Sequence, residues 1–297
     1  MSATIKSALT EGAAGLKTAG VDDPRNQANL LLMHVLDRDR TFLLAHPEED
    51  LSTKQFDQYL ALVNRRAEGY PLQYLTGRQA FFQLAFEVTP DVLIPRPETE
   101  LIVEVGIEIL KDKAAPFFAD LGTGSGAIAI SLLQELPRAR AIAVDVSPGA
   151  LEVAKRNAER HAMTDRLQLV ESDLFSTMDP RAAFDLIVSN PPYVPAGDLN
   201  SLQREVRHEP SGALDGGPDG LVVIRRLLRE APDFLTANGY LVFEIGFDQH
   251  EAVKKLIDLG AWELIDLRKD LQGIPRTLVL QKRERPGSTM EWTKTSS

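Results

Sequence analysis

Residues 1–75 carry their apolar side chains at the spacing of amphipathic helices. In the stretch DDPRNQANLLLMHVLDRD, Asp23 stands where a helix N-cap is expected, and Pro24 stands at the first helical position. The stretch STKQFDQYLALVNRRAEG opens with Ser52 and Gln55 in a capping-box pattern and stops at a glycine. These signals predict a short helical bundle.

The pattern changes after Pro71. Residues 76–97 are rich in aromatic and β-branched side chains and are interrupted by prolines, which predicts a β-hairpin followed by an extended linker. Residues 98–111 return to helical spacing and are predicted to form a helix. The helical bundle and the rest of the chain are therefore expected to be separate domains.

From Pro116 onward, short apolar runs alternate with helical stretches. The predicted strands are 117–121, 141–146, 167–170, 184–189, 240–245, 262–267 and 277–281. The predicted helices between them are 127–136, 150–161, 221–236 and 249–259. This alternation is typical of a mostly parallel sheet covered by helices on both faces. We therefore predict an α/β domain over residues 98–282 and a disordered polar tail over residues 283–297.

The composition excludes several kinds of catalytic and binding site. The 297-residue chain has a net charge of −10, which disfavours a stable nucleic-acid partner. It has no cysteine, so disulfides, thiolate catalysis and zinc–thiolate sites are excluded, and this fits a cytoplasmic protein. Its five histidines are scattered, so we expect no metal site. We also expect neither a membrane span nor a signal peptide.

The stretch ADLGTGSGAIAI joins a predicted strand to a predicted helix. Gly122, Gly124 and Gly126 permit a tight turn and a close backbone approach to a ligand, while the helix N-terminus supplies unpaired N–H groups. With Thr123 and Ser125 they form the candidate cofactor-binding loop, called here the glycine loop. Because the spacing also fits G-x-G-x-x-A, the loop alone does not separate a dinucleotide from another nucleoside cofactor.

Two acidic residues follow later strands. Asp145 ends the strand in AIAVDVS, where an acid accepts hydrogen bonds from both hydroxyls of a ribose; the alternative is a helix cap. Asp173, in VESDLF, either accepts from an exocyclic amine such as that of adenine or is a turn residue. Both are therefore candidates for the cofactor site.

The stretch FDLIVSNPPYV ends a predicted strand in a carboxamide, two prolines and an aromatic ring. In an open parallel sheet, ligands lie outside the carboxyl ends of the strands, so the loop after this strand reaches the same crevice. Asn190 offers a side-chain acceptor, while Pro191 and Pro192 fix the backbone and leave carbonyl groups free to accept. Tyr193 adds a flat ring. This array suits a planar substrate with an NH₂ group, and catalysis by positioning rather than by a base, a nucleophile or a metal.

The order of glycine loop, strand-end Asp and Asn-Pro-Pro-Tyr resembles the S-adenosylmethionine-dependent methyltransferases that modify planar nitrogens. Among these, the chain most resembles the peptide chain release factor glutamine methyltransferases, which methylate the glutamine of a Gly-Gly-Gln motif. The resemblance covers nearly the whole chain. It rests on the combination of GYPLQYLTGRQAFF, VLIPRPETE, DLGTGSGAIAI, AVDVS, SDLF, SNPPYV and VRHEPSGAL.

The resemblance implies a seven-stranded, Rossmann-like class I methyltransferase sheet with S-adenosylmethionine as cofactor. It implies class 1 release factors as the protein substrate, recognised by the helical domain of a monomeric enzyme. The residues that it assigns to the cofactor are Gly122, Thr123, Gly124, Ser125, Gly126, Asp145, Asp173, Leu174 and Asn190. Residues 190–193 would grip the glutamine amide. Leu174 departs from relatives that carry Trp there, so aromatic stacking on adenine is not expected from this position.

Other functions fit part of the pattern. An adenine-amino methyltransferase acting on DNA or RNA would use the same loop on a flipped base, although the net charge argues against it. The stretch PRPETE distinguishes the chain from the related ribosomal-protein glutamine methyltransferases. Within that stretch, Arg96 and Glu98 either cap the next helix or pair with each other. A nicotinamide oxidoreductase would leave residues 190–193 unexplained, and nothing supports a non-catalytic scaffold.

Overall fold

The computed structural model describes residues 3–283 and begins with a bundle of short helices. They are α1 Ile5–Thr18, α2 Pro24–Leu36, α3 Arg40–Ala45, α4 Thr53–Ala67 and α5 Leu72–Thr76. Their apolar faces meet in one core, in which Leu31 and Tyr59 are fully buried. The predicted helical bundle is confirmed.

The two predicted helix starts differ from each other. Before α4, Ser52 Oγ accepts from the N–H of Gln55 at 3.3 Å, and Gln55 Oε1 accepts from the N–H of Ser52 at 3.0 Å, as a capping box requires. Asp23 precedes Pro24 at the start of α2, but its side chain makes no capping hydrogen bond. Its φ of 43° is left-handed, whereas a capping side chain normally reaches the first turn from extended backbone. Asp23 is therefore the N-cap residue of α2, as predicted, but its side chain does not cap the helix.

A β-hairpin follows the bundle, as predicted. Its strands, β1 Arg78–Phe81 and β2 Leu84–Glu87, pair antiparallel. The turn residues Phe82 and Gln83 have φ values of 46° and 63°, the left-handed pair that a two-residue type I′ turn needs. An extended linker then leads to a 3₁₀ turn, Pro97–Thr99, and to α6 Glu100–Leu110, so the helix begins slightly later than predicted.

The remaining elements build a seven-stranded sheet. They are β3 Phe117–Leu121, α7 Ala127–Glu135, β4 Arg140–Asp145, α8 Pro148–Arg160, β5 Leu167–Glu171, β6 Phe184–Ser189, α9 Val222–Glu230, β7 Leu235–Glu244, α10 His250–Lys254, β8 Trp262–Lys269 and β9 Pro275–Lys282. The strand order is β5-β4-β3-β6-β7-β9-β8. Strands β3 to β7 run parallel, and β9 runs antiparallel to both neighbours. The predicted α/β fold with a mostly parallel sheet is confirmed.

Two predicted helices are shorter than their apolar pattern suggested. The helix predicted over 221–236 ends at Glu230, and residues 235–236 already belong to β7. Pro232 has no N–H to donate to the carbonyl of Leu228, and that carbonyl accepts instead from Trp262 Nε1 at 2.9 Å. The helix predicted over 249–259 ends at Lys254, after which the chain turns through hydrogen bonds between residues three apart.

The strands are apolar because helices cover both faces of the sheet. Side chains on the two faces of β3 enter different cores: Phe118 lies with buried residues of α6 and α7, whereas Leu121 lies with buried residues of α9. Since β3 pairs with β4 on one side and with β6 on the other, the chain order reverses at this strand. The carboxyl ends of β3 to β7 share one edge, where a crevice is expected.

The helical bundle contacts the segment between β6 and α9. Arg66 Nη2 lies 2.8 Å from Glu205 Oε1, and Arg204 Nη2 donates to the carbonyl of Glu68 at 2.8 Å. The rings of Tyr70 and His208 also lie together, with centroids 5.0 Å apart. The division of the chain at residues 75 and 97 stays a prediction.

Only Arg283 of the tail predicted over 283–297 is described, and its N–H donates to the carbonyl of Ala261 at 2.8 Å. The rest of that prediction lies outside the described residues. Over residues 3–283, no helix is both long enough and apolar enough to cross a membrane.

Candidate active site

The glycine loop connects β3 to α7 at the switch point of the sheet. Gly124 and Gly126 have φ values of 55° and 80°, in the left-handed region that favours glycine. A side-chain carbon at Gly126 would also lie 3.3 Å from Cβ of Ala154, which is tighter than ordinary contact. At Gly124 the same carbon would meet nothing within 4 Å, so the loop leaves open space beside its backbone.

A cavity of about 330 Å³ opens beside this loop. The predicted site residues that line it are Gly122, Thr123, Gly124, Ser125, Asp145, Asp173, Leu174, Asn190 and Pro192. The predicted residues Gly126, Pro191 and Tyr193 adjoin these in the chain without lining the cavity. The fold therefore brings motifs from four strand ends, those of β3, β4, β5 and β6, to one place.

Asp145 ends β4 and faces the glycine loop. Its Oδ2 accepts from the N–H of Gly124 at 2.9 Å, and its Oδ1 accepts from the N–H of Ser147 at 3.0 Å. Burial raises the pKa of this carboxyl above its ordinary value, and the backbone hydrogen bonds oppose that shift. A carboxylate has about four lone-pair sites, so each oxygen retains capacity for another donor.

Asp173 and Leu174 occupy the turn after β5. Asp173 Oδ1 accepts from Arg226 Nη1 at 2.7 Å, and its side chain is 59% exposed. Leu174 is buried and has a φ of 53°, and its carbonyl accepts from the hydroxyl of Ser172 at 2.9 Å. The ion pair of Asp173 with Arg226 is a partner that the sequence did not indicate.

Asp120, at the end of β3, is a buried group that the sequence interpretation missed. Its Oδ2 accepts from the hydroxyl of Thr123 at 2.7 Å and from the N–H of Ala129 at 3.3 Å. Its Oδ1 has no hydrogen-bond partner among the described residues. Burial raises the pKa of this carboxyl to about 7. Its position directly before the glycine loop was the signal that could have found it.

Asn190 and Tyr193 converge on one buried carboxylate. Asn190 Nδ2 donates to Thr99 Oγ1 at 3.0 Å, and Thr99 Oγ1 donates to Glu244 Oε2 at 2.6 Å. Tyr193 Oη donates to Glu244 Oε1 at 3.0 Å. Glu244 and Thr99 are 1% and 4% exposed. Neither was predicted as a site residue, although Glu244 ends β7 at the same edge of the sheet as the other motifs.

The backbone around Tyr193 is also fixed. Gln249 Nε2 donates to the carbonyl of Tyr193 at 2.9 Å, and Gln249 Oε1 accepts from the N–H of Gly246 at 2.8 Å. The next residue, Val194, forms an isolated parallel bridge with Asp215. In contrast, the carbonyl of Pro191 has no hydrogen-bond partner within the described part of the chain. The loop is therefore held in place while one carbonyl stays available.

The stretch PRPETE is connected differently from either alternative raised by the sequence. Arg96 donates to Glu209, whose side chain is 1% exposed, and Glu209 Oε2 also accepts from the N–H of Ile94 at 3.1 Å. Arg96 thus neither caps α6 nor pairs with Glu98. The last residue of the stretch, Glu100, accepts from the N–H of Phe82 at 2.9 Å and ties the hairpin turn to α6.

Two family models match the chain. The PrmC N-terminal domain matches residues 7–77, and the methyltransferase small domain matches residues 103–259. The matched regions include the helical bundle and most of the sheet.

In the described residues, no group of three or more His, Asp or Glu side chains is arranged to hold a metal ion.

Comparison with individual proteins also indicates a methyltransferase. The chain is 44% identical over 282 residues to the release factor glutamine methyltransferase of Moorella thermoacetica, covering 95% of this chain and 99% of that protein. It is 44% identical to the same enzyme of Geobacter sulfurreducens, covering 93% and 95% of the two chains. A methyltransferase from Pyrococcus furiosus has a similar fold, with a TM-score of 0.51 at 19% identity over 69% of this chain and 92% of that one. The chain belongs to the release factor glutamine methyltransferase family.

Proposed function

We propose that this enzyme transfers the methyl group of S-adenosylmethionine to the side-chain amide nitrogen of a glutamine in class 1 peptide release factors. The target is the glutamine of their Gly-Gly-Gln motif. The observation that carries the proposal is the orientation of Asn190, whose NH₂ group is engaged by Thr99. The carboxamide oxygen is thereby left as an acceptor at the cavity for an N–H of a substrate.

The cavity suits this cofactor in four respects. The glycine loop offers open space beside its backbone at Gly122 and Gly124, where a side-chain carbon would meet nothing within 4 Å. Asp145 keeps acceptor capacity on both oxygens for the two hydroxyls of a ribose. Val146, which is 61% exposed, and Leu174 supply apolar surface in the same cavity for a purine. Asp173 has one oxygen beyond its bond to Arg226 for the exocyclic amine.

The reaction requires a nitrogen nucleophile to be aimed and activated. When bound, S-adenosylmethionine supplies an electrophilic methyl group on a sulfonium sulfur. The Asn190 side-chain oxygen, which lines the cavity, and the Pro191 carbonyl, which adjoins it and has no partner among the described residues, are assigned the hydrogen bonds from the two N–H groups of the substrate amide. These bonds would fix the amide plane and increase electron density on nitrogen. Tyr193 adjoins this site without lining the cavity, and its hydroxyl is held by Glu244.

No side chain has to act as a base. The amide nitrogen forms a bond to the methyl carbon while the carbon–sulfur bond breaks. The N-methylated amide then carries an extra proton and is strongly acidic, so water can take that proton after transfer. The role of residues 190–193 is therefore to position and polarise, which agrees with the lack of a titratable residue among them other than a tyrosine whose pKa is raised by burial.

The test is substrate choice with S-adenosylmethionine labelled in its methyl group. The purified enzyme is incubated with a class 1 release factor, with the same factor carrying alanine in place of the Gly-Gly-Gln glutamine, and with an adenine-containing oligonucleotide. The proposal predicts label in the first alone. Label in the oligonucleotide, or equal labelling of the two release factors, would contradict it.

A further inference from the structure

Two hydrogen bonds connect Glu244 to the NH₂ group of Asn190, whose carboxamide oxygen the proposed function assigns to substrate. The chain of contacts runs from Glu244 Oε2 to Thr99 Oγ1 at 2.6 Å, and from Thr99 Oγ1 to Asn190 Nδ2 at 3.0 Å. It joins residues that are 145 and 91 positions apart in the sequence. Both Glu244 and Thr99 are buried, and Thr99 also lines the cavity.

The donors and acceptors of the three side chains determine which atom donates in each of the two hydrogen bonds. The hydroxyl of Thr99 donates its single hydrogen to Glu244 Oε2, and that hydrogen is therefore not available to Asn190. The Thr99 oxygen can then only accept, and the group that faces it on Asn190 must be the NH₂. The carboxamide oxygen of Asn190 is consequently turned toward the cavity.

Each oxygen of the Glu244 carboxyl accepts from a hydroxyl group, and these two hydrogen bonds favour its ionised form against the effect of burial. The 2.6 Å bond from Thr99 lies in the range of roughly 2.5–2.7 Å that is typical of a hydroxyl donating to a carboxylate. The second oxygen accepts from Tyr193 Oη, so two donors meet two acceptor atoms. Burial raises the pKa of Glu244, while the hydrogen bonds from Thr99 and Tyr193 and the charge of Arg276 oppose that shift, and Glu98 adds to it.

We infer that Glu244 is a positioning residue for methyl transfer: acting through Thr99, it sets which end of the Asn190 carboxamide faces the substrate, and it holds the Tyr193 hydroxyl at the same time. This inference rests on the proposed function. With a neutral residue that can donate at position 244, the Thr99 hydroxyl is free to turn and donate to Asn190. The carboxamide can then flip and present NH₂ to the NH₂ of the substrate, which is a mismatch of two donors.

The test compares turnover of E244Q, T99V, T99S and the double variant E244Q/T99V at saturating cofactor and release factor. Glu244→Gln keeps the shape and removes the charge, Thr99→Val removes the relay, and Thr99→Ser retains it. Because a small misplacement of a reacting group costs up to about a hundredfold, we expect kcat to fall by about ten- to a hundredfold in E244Q and T99V. T99S should stay near wild type, and the double variant should be no worse than the poorer single variant. The exposed Glu263→Gln serves as the matched control and should not change kcat.

The readouts separate positioning from general damage. Melting temperature and the dissociation constant for S-adenosylmethionine are measured for every variant, and the inference predicts that the loss lies in kcat with the KM for release factor unchanged. A wild-type kcat in E244Q, or losses that multiply in the double variant, would overturn it. If E244Q does not fold, the two variants of Thr99 decide: an equal kcat for T99V and T99S would overturn the inference. Failure of the proposed function can be told apart from failure of this inference. The wild-type enzyme alone shows which NH₂ substrate is methylated, and the ratio of variant kcat to wild-type kcat can then be measured on that substrate.

Discussion

The Arg96 guanidinium donates to the buried carboxylate of Glu209 and so joins the PRPETE stretch to the segment that follows residues 190–193. Glu209 also accepts from the N–H of Ile94, which fixes the linker between the hairpin and α6. Since this linker lines the cavity at Val92, Leu93 and Pro95, the ion pair helps to form one wall of the candidate active site.

Removing Arg96 should therefore destabilise the protein. Arg96→Ala leaves the Glu209 carboxylate, whose side chain is 1% exposed, without its cationic partner. Loss of one partner of a buried pair typically costs about 3–5 kcal/mol, and we expect a fall of about 3 kcal/mol in the free energy of unfolding measured by urea denaturation. The control is Arg181→Ala, because Arg181 is 89% exposed in its pair with Asp179. A similar effect of both substitutions would contradict this account.

The glycine loop and Asp145 should set affinity for the cofactor rather than the rate of transfer. Asp145→Asn replaces one acceptor oxygen by a donor opposite backbone N–H groups and ribose hydroxyls. A hydrogen bond to a charged group contributes about 1.5–3 kcal/mol, so we expect the dissociation constant for S-adenosylmethionine, measured by calorimetry, to rise by about tenfold or more. The exposed Asp112→Asn should leave it unchanged. Unaltered affinity in Asp145→Asn would argue against its proposed contact with ribose.

Asp120 should make stability depend on pH. Burial raises its pKa from 3.8 to about 7 in the folded protein, so between these values the folded state binds a proton that the unfolded state has lost. Its contribution therefore lowers the free energy of unfolding as pH rises from about 4 to about 7 and then levels off. At 1.36 kcal/mol for each pKa unit, the change is about 4 kcal/mol.

The variant Asp120→Asn has no proton to lose at this position. The difference between its free energy of unfolding and that of wild type, measured without added cofactor, should grow in favour of the variant from pH 4 to pH 7. Other titrating groups are common to both proteins and cancel in this difference. Parallel pH profiles would show that Asp120 does not titrate as described.

Asn190 should act on turnover rather than on cofactor binding. Asn190→Ala removes the side-chain acceptor that the proposed reaction needs, and loss of one such group typically lowers kcat by roughly a hundredfold. Affinity for S-adenosylmethionine, measured by calorimetry, should remain measurable because the glycine loop and Asp145 are intact. Asn200→Ala, at an exposed position in the following loop, is the control. Wild-type turnover in Asn190→Ala would exclude the assigned role.

Much of the fold could be predicted from local patterns, because strand and helix periodicity and the glycine loop are encoded within short stretches. Errors arose where a local signal was overruled by geometry. Asp23 is the N-cap residue of α2, but its left-handed backbone leaves its side chain without the expected capping hydrogen bond. Pro232 interrupts a helix whose apolar pattern continues, and the Leu228 carbonyl freed by that proline is taken by Trp262.

Nine of the predicted site residues line the cavity of the candidate site, but the residues that support them were not predicted. The motifs around Gly122, Asp145 and Asn190 each stand at a strand end, and a parallel sheet places those ends together. The partners of these residues come from remote stretches: Thr99 and Glu244 are 145 positions apart, and Ile94 and Glu209 are 115 apart. A pairing over such distances depends on the assembled fold, and one sequence does not reveal it.

The central claim is that the methyl group is placed on one amide nitrogen. Tandem mass spectrometry of a class 1 release factor, after incubation with the enzyme and S-adenosylmethionine, measures this directly. The account predicts the added mass of one methyl group on the side chain of the Gly-Gly-Gln glutamine, and its loss when Asn190→Ala replaces the wild-type enzyme. A methyl group on any other residue, or on the same glutamine at an undiminished rate with Asn190→Ala, would contradict the account.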